Sequence, residues 1–296
     1  MQSGRRRLKW AVGLVALAAV ATGLAASRDP APQPLPAPTD MPAMPLLIRD
    51  LGAADRIQIV HAGTTLDLER RGQTWCLAQH GGYPVRPAMA RRLIDQLLAL
   101  RLTHPSAPGE NHLRADDLTA GNAGLTGIRV LAQSGASLGA IVVAAHAPGA
   151  RQFDAHQAGD PRDWQASGAL ETPVDPLAWV DPDILPIDPA LVAGVAISNG
   201  AASFDLGRPD AQARLSTLAA MRFTDVHPAA QVPAERRGRL VFRLGGGGTL
   251  TAIVETAGPA VWLLLSTEGA TPARIPGGDW AFRYPIAALS LLDPVS

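Results

Sequence analysis

Two hydrophobic periods alternate along this chain. Ile57 and Ile59, then Leu66 and Leu68, stand at every second position on either side of Gly63, and Val195 and Ile197, then Phe204 and Leu206, do the same around Gly200. Alternation with a glycine between the runs predicts a β-hairpin in each place. After each hairpin the period lengthens to that of a helix. Met89, Leu93, Leu97 and Leu100 form one apolar stripe on a helix starting near Pro87, and Leu215, Leu218 and Phe223 form another on a helix starting after Pro209. Alternation then returns, over 127–130 with 137–142 and over 238–241 with 249–254, which predicts a second hairpin after each helix. Further strands are expected at 74–78, 260–266 and 281–284.

The order repeats, and so do residues within it. LLALRLTHP at 97–105 is answered by LAAMRFT at 218–224 followed by His227 and Pro228, each at the end of a helical stripe. Self-similarity of this kind marks a duplicated unit. The expected class is therefore α+β: two tandem β-β-α-β-β repeats, each a two-layer unit of sheet and helix, preceded by an N-terminal transmembrane helix. The expected repeats run over 47–159 and 191–296, joined by a connector at 160–190. That connector carries Asp-Pro at 160, 175, 181 and 188, a pair suited to N-cap and first helical position. It is expected to form short turns and helical pieces that pack Trp164 and Trp179 onto the body.

The amino end follows neither period. Residues 10–26 are 17 uncharged positions rich in Ala, Val and Leu, roughly 26 Å as a helix and near the lower limit for a bilayer core. The basic flank at 1–9 predicts a single-pass anchor at 10–27 in a bacterial inner membrane, with the C-terminal body in the periplasm. A cleaved secretory signal ending near Ala25, Ala26 and Ser27 is the competing reading, and it leaves the body on the same side. Residues 28–46 hold prolines at alternate positions from Pro30 to Pro38, then Pro42 and Pro45, which predicts an extended spacer reaching roughly 50 Å.

Charge sharpens this division. The chain has 26 Lys and Arg against 26 Asp and Glu, but Arg5, Arg6, Arg7 and Lys9 precede the first acid, Asp29, leaving 22 bases against 26 acids beyond them. A mildly acidic body argues against nucleic acid as a partner. The single cysteine, Cys76, excludes a disulfide framework or a thiolate cage within one chain.

Trp75-Cys76-Leu77 followed by Gly81-Gly82-Tyr83-Pro84, then Asp163-Trp164, Leu170, Pro173, Asp175-Pro176, Trp179-Val180-Asp181 and Ile184-Leu185, make the chain resemble the bacterial family called domain of unknown function 4340. The likeness covers roughly residues 48–200. It implies a single-anchor envelope protein, of a kind often encoded beside ABC-2 type permeases and gliding-type auxiliary subunits, and it implies no catalytic residues.

Reactive groups add little to that picture. The seven histidines, His61, His80, His104, His112, His146, His156 and His227, lack paired spacing on one helix face. His104 and His227 are equivalent in the duplication, so a shared ion is conceivable, but His-Pro at a helix end explains both as partners of terminal carbonyls. Asp175, Asp181, Asp183 and Asp188 could suggest calcium, yet three precede proline and read as caps. Asp67 and Asp205, between apolar neighbours on strands, are expected to face solvent. The four glycines at 245–248 join two strands as a turn, and Cys76 reads as a buried inert thiol. No catalytic, cofactor or metal residue is assigned. The expected function is that of a non-enzymatic, membrane-tethered periplasmic accessory or scaffold of an ABC-type export or envelope complex. The alternative is a ligand-binding or hydrolytic envelope protein with its site between the two repeats.

Overall fold

The structure is a computed structural model that describes residues 40–106, 124–200, 202–269 and 279–293. Residues 39–296 form one compact unit. Its first sheet has ten strands: β1 (Met41–Pro42), β2 (Ala54–His61), β3 (Thr64–Arg71), β4 (Thr74–Leu77), β5 (Tyr83–Pro84), β6 (Arg101–Pro105), β7 (Leu125–Ala132), β8 (Ser137–Ala144), β9 (Gln152–Gln157) and β10 (Asp163–Ser167). The second has seven: β11 (Val192–Asn199), β12 (Ala202–Leu206), β13 (Asp225–Pro228), β14 (Glu235–Leu244), β15 (Thr249–Ala257), β16 (Ala260–Glu268) and β17 (Trp280–Tyr284). Among the described residues three α-helices accompany them, α1 (Pro45–Arg49), α2 (Pro87–Ala99) and α3 (Arg208–Ala220).

All strand pairs are antiparallel, in the orders β1-β6-β10-β9-β8-β7-β2-β3-β4-β5 and β12-β11-β14-β15-β16-β17-β13. The hairpins follow from local chemistry. β2 and β3 meet around Ala62 and Gly63, whose φ angles of 47° and 76° are the left-handed pair that a tight hairpin turn requires. Ile57, Ile59, Leu66 and Leu68 are buried, while Asp67 is half-buried on the other face and accepts from the Gln58 amide at 2.8 Å. On α2, Ala90, Leu93 and Leu97 face inward, and on α3, Ala211, Leu215 and Leu218 do. One large apolar core runs through both sheets, and Ala140 and Val142 form a small cluster apart from it.

This architecture corrects the expected fold class. The protein is mostly antiparallel β, and a β-β-α-β-β unit does not describe either half. The sequences after the helices, read as helix ends, are strands: Thr103 and His104 lie in β6 and His227 lies in β13. Residues 152–167, half of them assigned to an irregular connector, are the paired strands β9 and β10. The turn residues around Asp160 and Pro161 hid these strands, since they break the pattern between two runs of only five or six positions. Two 13-residue helices cannot form a layer matching sheets of this breadth. The sheets do share one strand order, since β6-β10-β9-β8-β7-β2-β3 has the same sequence of connections as β13-β17-β16-β15-β14-β11-β12.

The expected anchor at 10–27 lies outside the described residues. Among the described residues no helix is long and apolar enough to cross a membrane. The expected spacer is described only from residue 40, and there it has already joined the body: β1 pairs with β6, and Met44 and Leu47 are buried.

Trp164 shows what holds these strands. Its ring is buried on β10, its indole Nε1 donates to Asp160 Oδ2 at 3.2 Å, and the Arg162 guanidinium lies 4.5 Å above the ring. Asp160 also accepts from the Arg162 backbone N and Nε, each at 3.0 Å. The hydrogen bond from the Arg162 side chain, before all other causes, holds this carboxyl below the usual carboxylate range. Replacing Asp160 with alanine leaves a buried indole donor without its acceptor and is expected to cost about 1–3 kcal/mol, read by urea denaturation. Because the folded carboxyl titrates lower than the unfolded one, its contribution is complete above the ordinary carboxylate range and is lost as pH falls through the folded value. The acid limb of a pH-dependent melt should therefore be shallower in Asp160→Ala than in the native protein.

Candidate functional site

The two sheets meet where β5, at one edge of the first, approaches β13, at one edge of the second. The turn that delivers the chain to this seam is a single 3-10 turn, Ala78–His80, closed by Gly81 at φ 67° and followed by Gly82 at φ 90°. Left-handed backbone at both positions reverses the chain within two residues, which glycine alone does cheaply. A Cβ on Gly81 would stand 2.2 Å from Pro228 Cγ, so the two sheets touch at that point through bare backbone. Arg71 Nη1 donates to the Gly81 carbonyl at 3.2 Å and fixes the turn from the side of β3.

Tyr83, next in the chain, fills the seam. Its ring is 5.0 Å from Trp280 and 5.9 Å from Phe282, edge to face in both cases, and Phe282 is 5.3 Å from Phe223. Burial pushes the Tyr83 phenol well above its ordinary range, with the Asp181 carboxylate adding to the effect. Burial does the same to Tyr284.

At the rim of this aromatic seam three polar side chains converge. Strand alternation puts Val226 into the core and Asp225 and His227 on the opposite face. His80 reaches across from the first sheet. Its Nδ1 is 3.0 Å from the Val226 carbonyl and 3.2 Å from Asp225 Oδ1, and His227 Nε2 is 3.3 Å from Asp225 Oδ2. The Val226 amide donates to Asp225 Oδ1 at 2.8 Å. The imidazole rings of His80 and His227 are 5.4 Å apart, and the His227 ring meets Trp262 edge-on at 5.8 Å. The side chains of His80, Asp225 and His227 are 14%, 26% and 32% exposed, so the cluster is sheltered yet reachable from solvent. One ligand-capable atom from each lies within 4.8 Å of the other two, the one such group of three among the described residues.

The sequence-derived candidates fall elsewhere, with one exception. His227 belongs to the cluster, but His104, its supposed counterpart, is exposed on β6 and pairs across to Gln165. Asp175, Asp181 and Asp188 cap their own turns, accepting from Leu177 N at 3.0 Å, Asp183 N at 3.0 Å and Ala190 N at 2.9 Å, while Asp183 is bonded to Arg222. Asp205 pairs with Arg243 at 2.7 Å on an exposed face. Gly245–248 lies in the turn between β14 and β15, with Gly247 at φ 84°. Cys76 is buried on β4, and burial raises its thiol, as expected of an inert core residue. His112 lies outside the described residues. His156 and Asp163 form a separate buried pair at 3.0 Å, directly opposite one another on β9 and β10.

Sequence reasoning missed His80 and Asp225 as members of one site. The local signal was Asp225-Val226-His227, acid and imidazole two apart on a strand. The third member is 145 positions upstream of Asp225, and nothing local connects them. Nothing in the cluster by itself marks catalysis. No family model matches this chain, and neither does any curated protein or solved structure.

Proposed function

We propose that the protein is a non-enzymatic envelope module, tethered at its amino end to the inner membrane, that serves an ABC-type export or envelope complex as a rigid accessory platform. The observation that carries this reading is the seam. A protein that closes on a ligand needs two lobes with a wettable cleft between them. Here the junction is occupied by Tyr83, Trp280, Phe282 and Phe223, and one apolar core passes through it. Opening such a junction exposes several aromatic faces to water at about 25 cal/mol per Å², which opposes hinge motion. Exposed Leu46, Ile48 and Leu51, at 42%, 43% and 36%, supply apolar surface on and beside α1, at the end of the expected spacer.

Crosslinking in intact cells, followed by purification from detergent-solubilised membranes, tests the proposal. The expected result is capture of an integral membrane subunit of a transport system; recovery of none overturns it. A second reading, a ligand-binding module with its site between the sheets, is favoured by one observation, the meeting of His80 with Asp225 and His227 across the seam. It predicts that a ligand changes the angle between the sheets, visible as a change in small-angle scattering, whereas the platform predicts no change.

A further inference from the structure

We infer that His80, Asp225 and His227 form a binding site for one divalent ion of the zinc class, and that the ion staples the first sheet to the second. The inference is independent of the platform reading, since it is read on the isolated protein.

Donor chemistry selects the ion. Two imidazoles and one carboxylate suit zinc and its first-row neighbours, whereas calcium and magnesium prefer all-oxygen sets and copper(I) prefers sulfur. Distances agree. The two imidazole-to-carboxylate separations, 3.2 and 3.3 Å, exceed the ~2.7–2.9 Å of a charge-assisted hydrogen bond. Each is close to the roughly 3.3 Å between neighbouring ligands on a tetrahedral ion bound at about 2.0–2.1 Å, though the two end on different oxygens of Asp225. Hydrogen bonding serves the carboxylate unevenly: Oδ1 accepts from the Val226 amide at 2.8 Å, while Oδ2 faces His227 Nε2 at 3.3 Å. A neutral His80 has at most one proton on Nδ1, and two acceptors, the Val226 carbonyl and Asp225 Oδ1, compete for it at 3.0 and 3.2 Å. A cation held by His80, Asp225 and His227 satisfies these three side chains at once, at the cost of the Nδ1 proton shared with the Val226 carbonyl.

The fold supports the set from both sides. His80 is aimed by the Ala78–His80 turn, which the Arg71 guanidinium and the Gly81 contact with Pro228 hold in place. Asp225 and His227 are fixed by the pairing of β13 with β17 and by the buried Val226 between them, and Trp262 backs the His227 ring. Three protein ligands leave a fourth position open. Because one ligand comes from the first sheet and two from the second, binding energy is spent on holding the seam closed.

The test uses the full chain, purified in detergent and stripped with a chelator, titrated with zinc chloride by calorimetry. One equivalent is expected to bind, and at a hundredfold excess over Kd the melting temperature should rise by about 5 °C or more. His80→Ala, His227→Ala and Asp225→Asn should each weaken binding by at least about 100-fold, while His104→Ala, on the exposed face of β6, should leave it unchanged. Should an alanine variant fail to give the native circular dichroism spectrum, His80→Gln, which keeps a donor for the Val226 carbonyl, replaces it with the same expected loss. Absence of saturable binding to the native protein, or binding that survives loss of both His80 and His227, overturns the site. Loss of zinc binding together with retained capture of a membrane subunit in cells would separate this site from the platform role.

Discussion

Gly81→Ala is expected to break the contact between the two sheets, with a loss of about 2–6 kcal/mol in stability. Two costs combine. A side chain at φ 67° costs about 1–3 kcal/mol in backbone strain, and the added methyl would stand 2.2 Å from Pro228 Cγ and 2.5 Å from Pro228 Cδ, an overlap whose relief costs about 1–3 kcal/mol more. Pro228 cannot swing aside, because its ring is closed on the backbone of β13. The turn must therefore lift, which carries His80 away from Asp225 and loosens the edge-to-face contacts of Tyr83. Gly63→Ala separates the two costs. Gly63 has φ 76° but nothing within 4 Å of the position a Cβ would take, so it should lose only the backbone part. Urea denaturation of both variants reads the difference, which is the cost of the overlap. Equal losses would mean that the two sheets do not press on one another at this point.

What the sequence discloses of this fold depends on how local the deciding signal is. The β2–β3 and β11–β12 hairpins, the faces of α2 and α3, and the Asp-Pro turns were legible because alternation, 3.6-residue spacing and cap chemistry operate within a few residues. The strands β6 and β13 were not, because runs of only five and four residues, starting soon after α2 and α3, are too short to show an alternation of their own. Only pairing with β10 or β17 decides the matter, and that pairing is remote in sequence. Breadth of the sheets was hidden for the same reason, and with it the fold class. The candidate site is the extreme case. Asp225 and His227 are adjacent positions on one strand face, but His80 joins them only when two sheets dock edge to edge, and docking leaves no periodic trace. Gly81 and Gly82 did leave a mark, as a pair of glycines beside an aromatic residue, and the structure gives their reason: one passes under Pro228, and the other lies against the Arg71 guanidinium.

Trp179→Ala should produce the other large effect, a loss of about 3–5 kcal/mol and a fall in melting temperature of about 10 °C, because three attachments end on this residue and its neighbour. The ring is fully buried and its Nε1 donates to the Pro173 carbonyl at 2.8 Å. Its own carbonyl accepts from the Arg86 amide at 2.7 Å, and the Ala178 carbonyl accepts from Arg86 Nη2 at 2.6 Å. Arg86 is the residue that caps α2, so the segment after β10 holds the start of that helix through main-chain contacts that Trp179 positions. Trp179→Phe, which keeps most of the buried area but removes the indole donor, should lose only about 1–2 kcal/mol. The two variants differ in more than magnitude. Asp181 lies near enough to Tyr83 to raise its phenol, so a segment that detaches at Trp179 takes a charge away from the seam. Hydrogen exchange in Trp179→Ala should then rise first along α2 and next at Tyr83, before the interior strands of the second sheet respond. Exchange that rises evenly over the whole molecule would show instead that the segment is part of one cooperative core and does not act as a separate clasp.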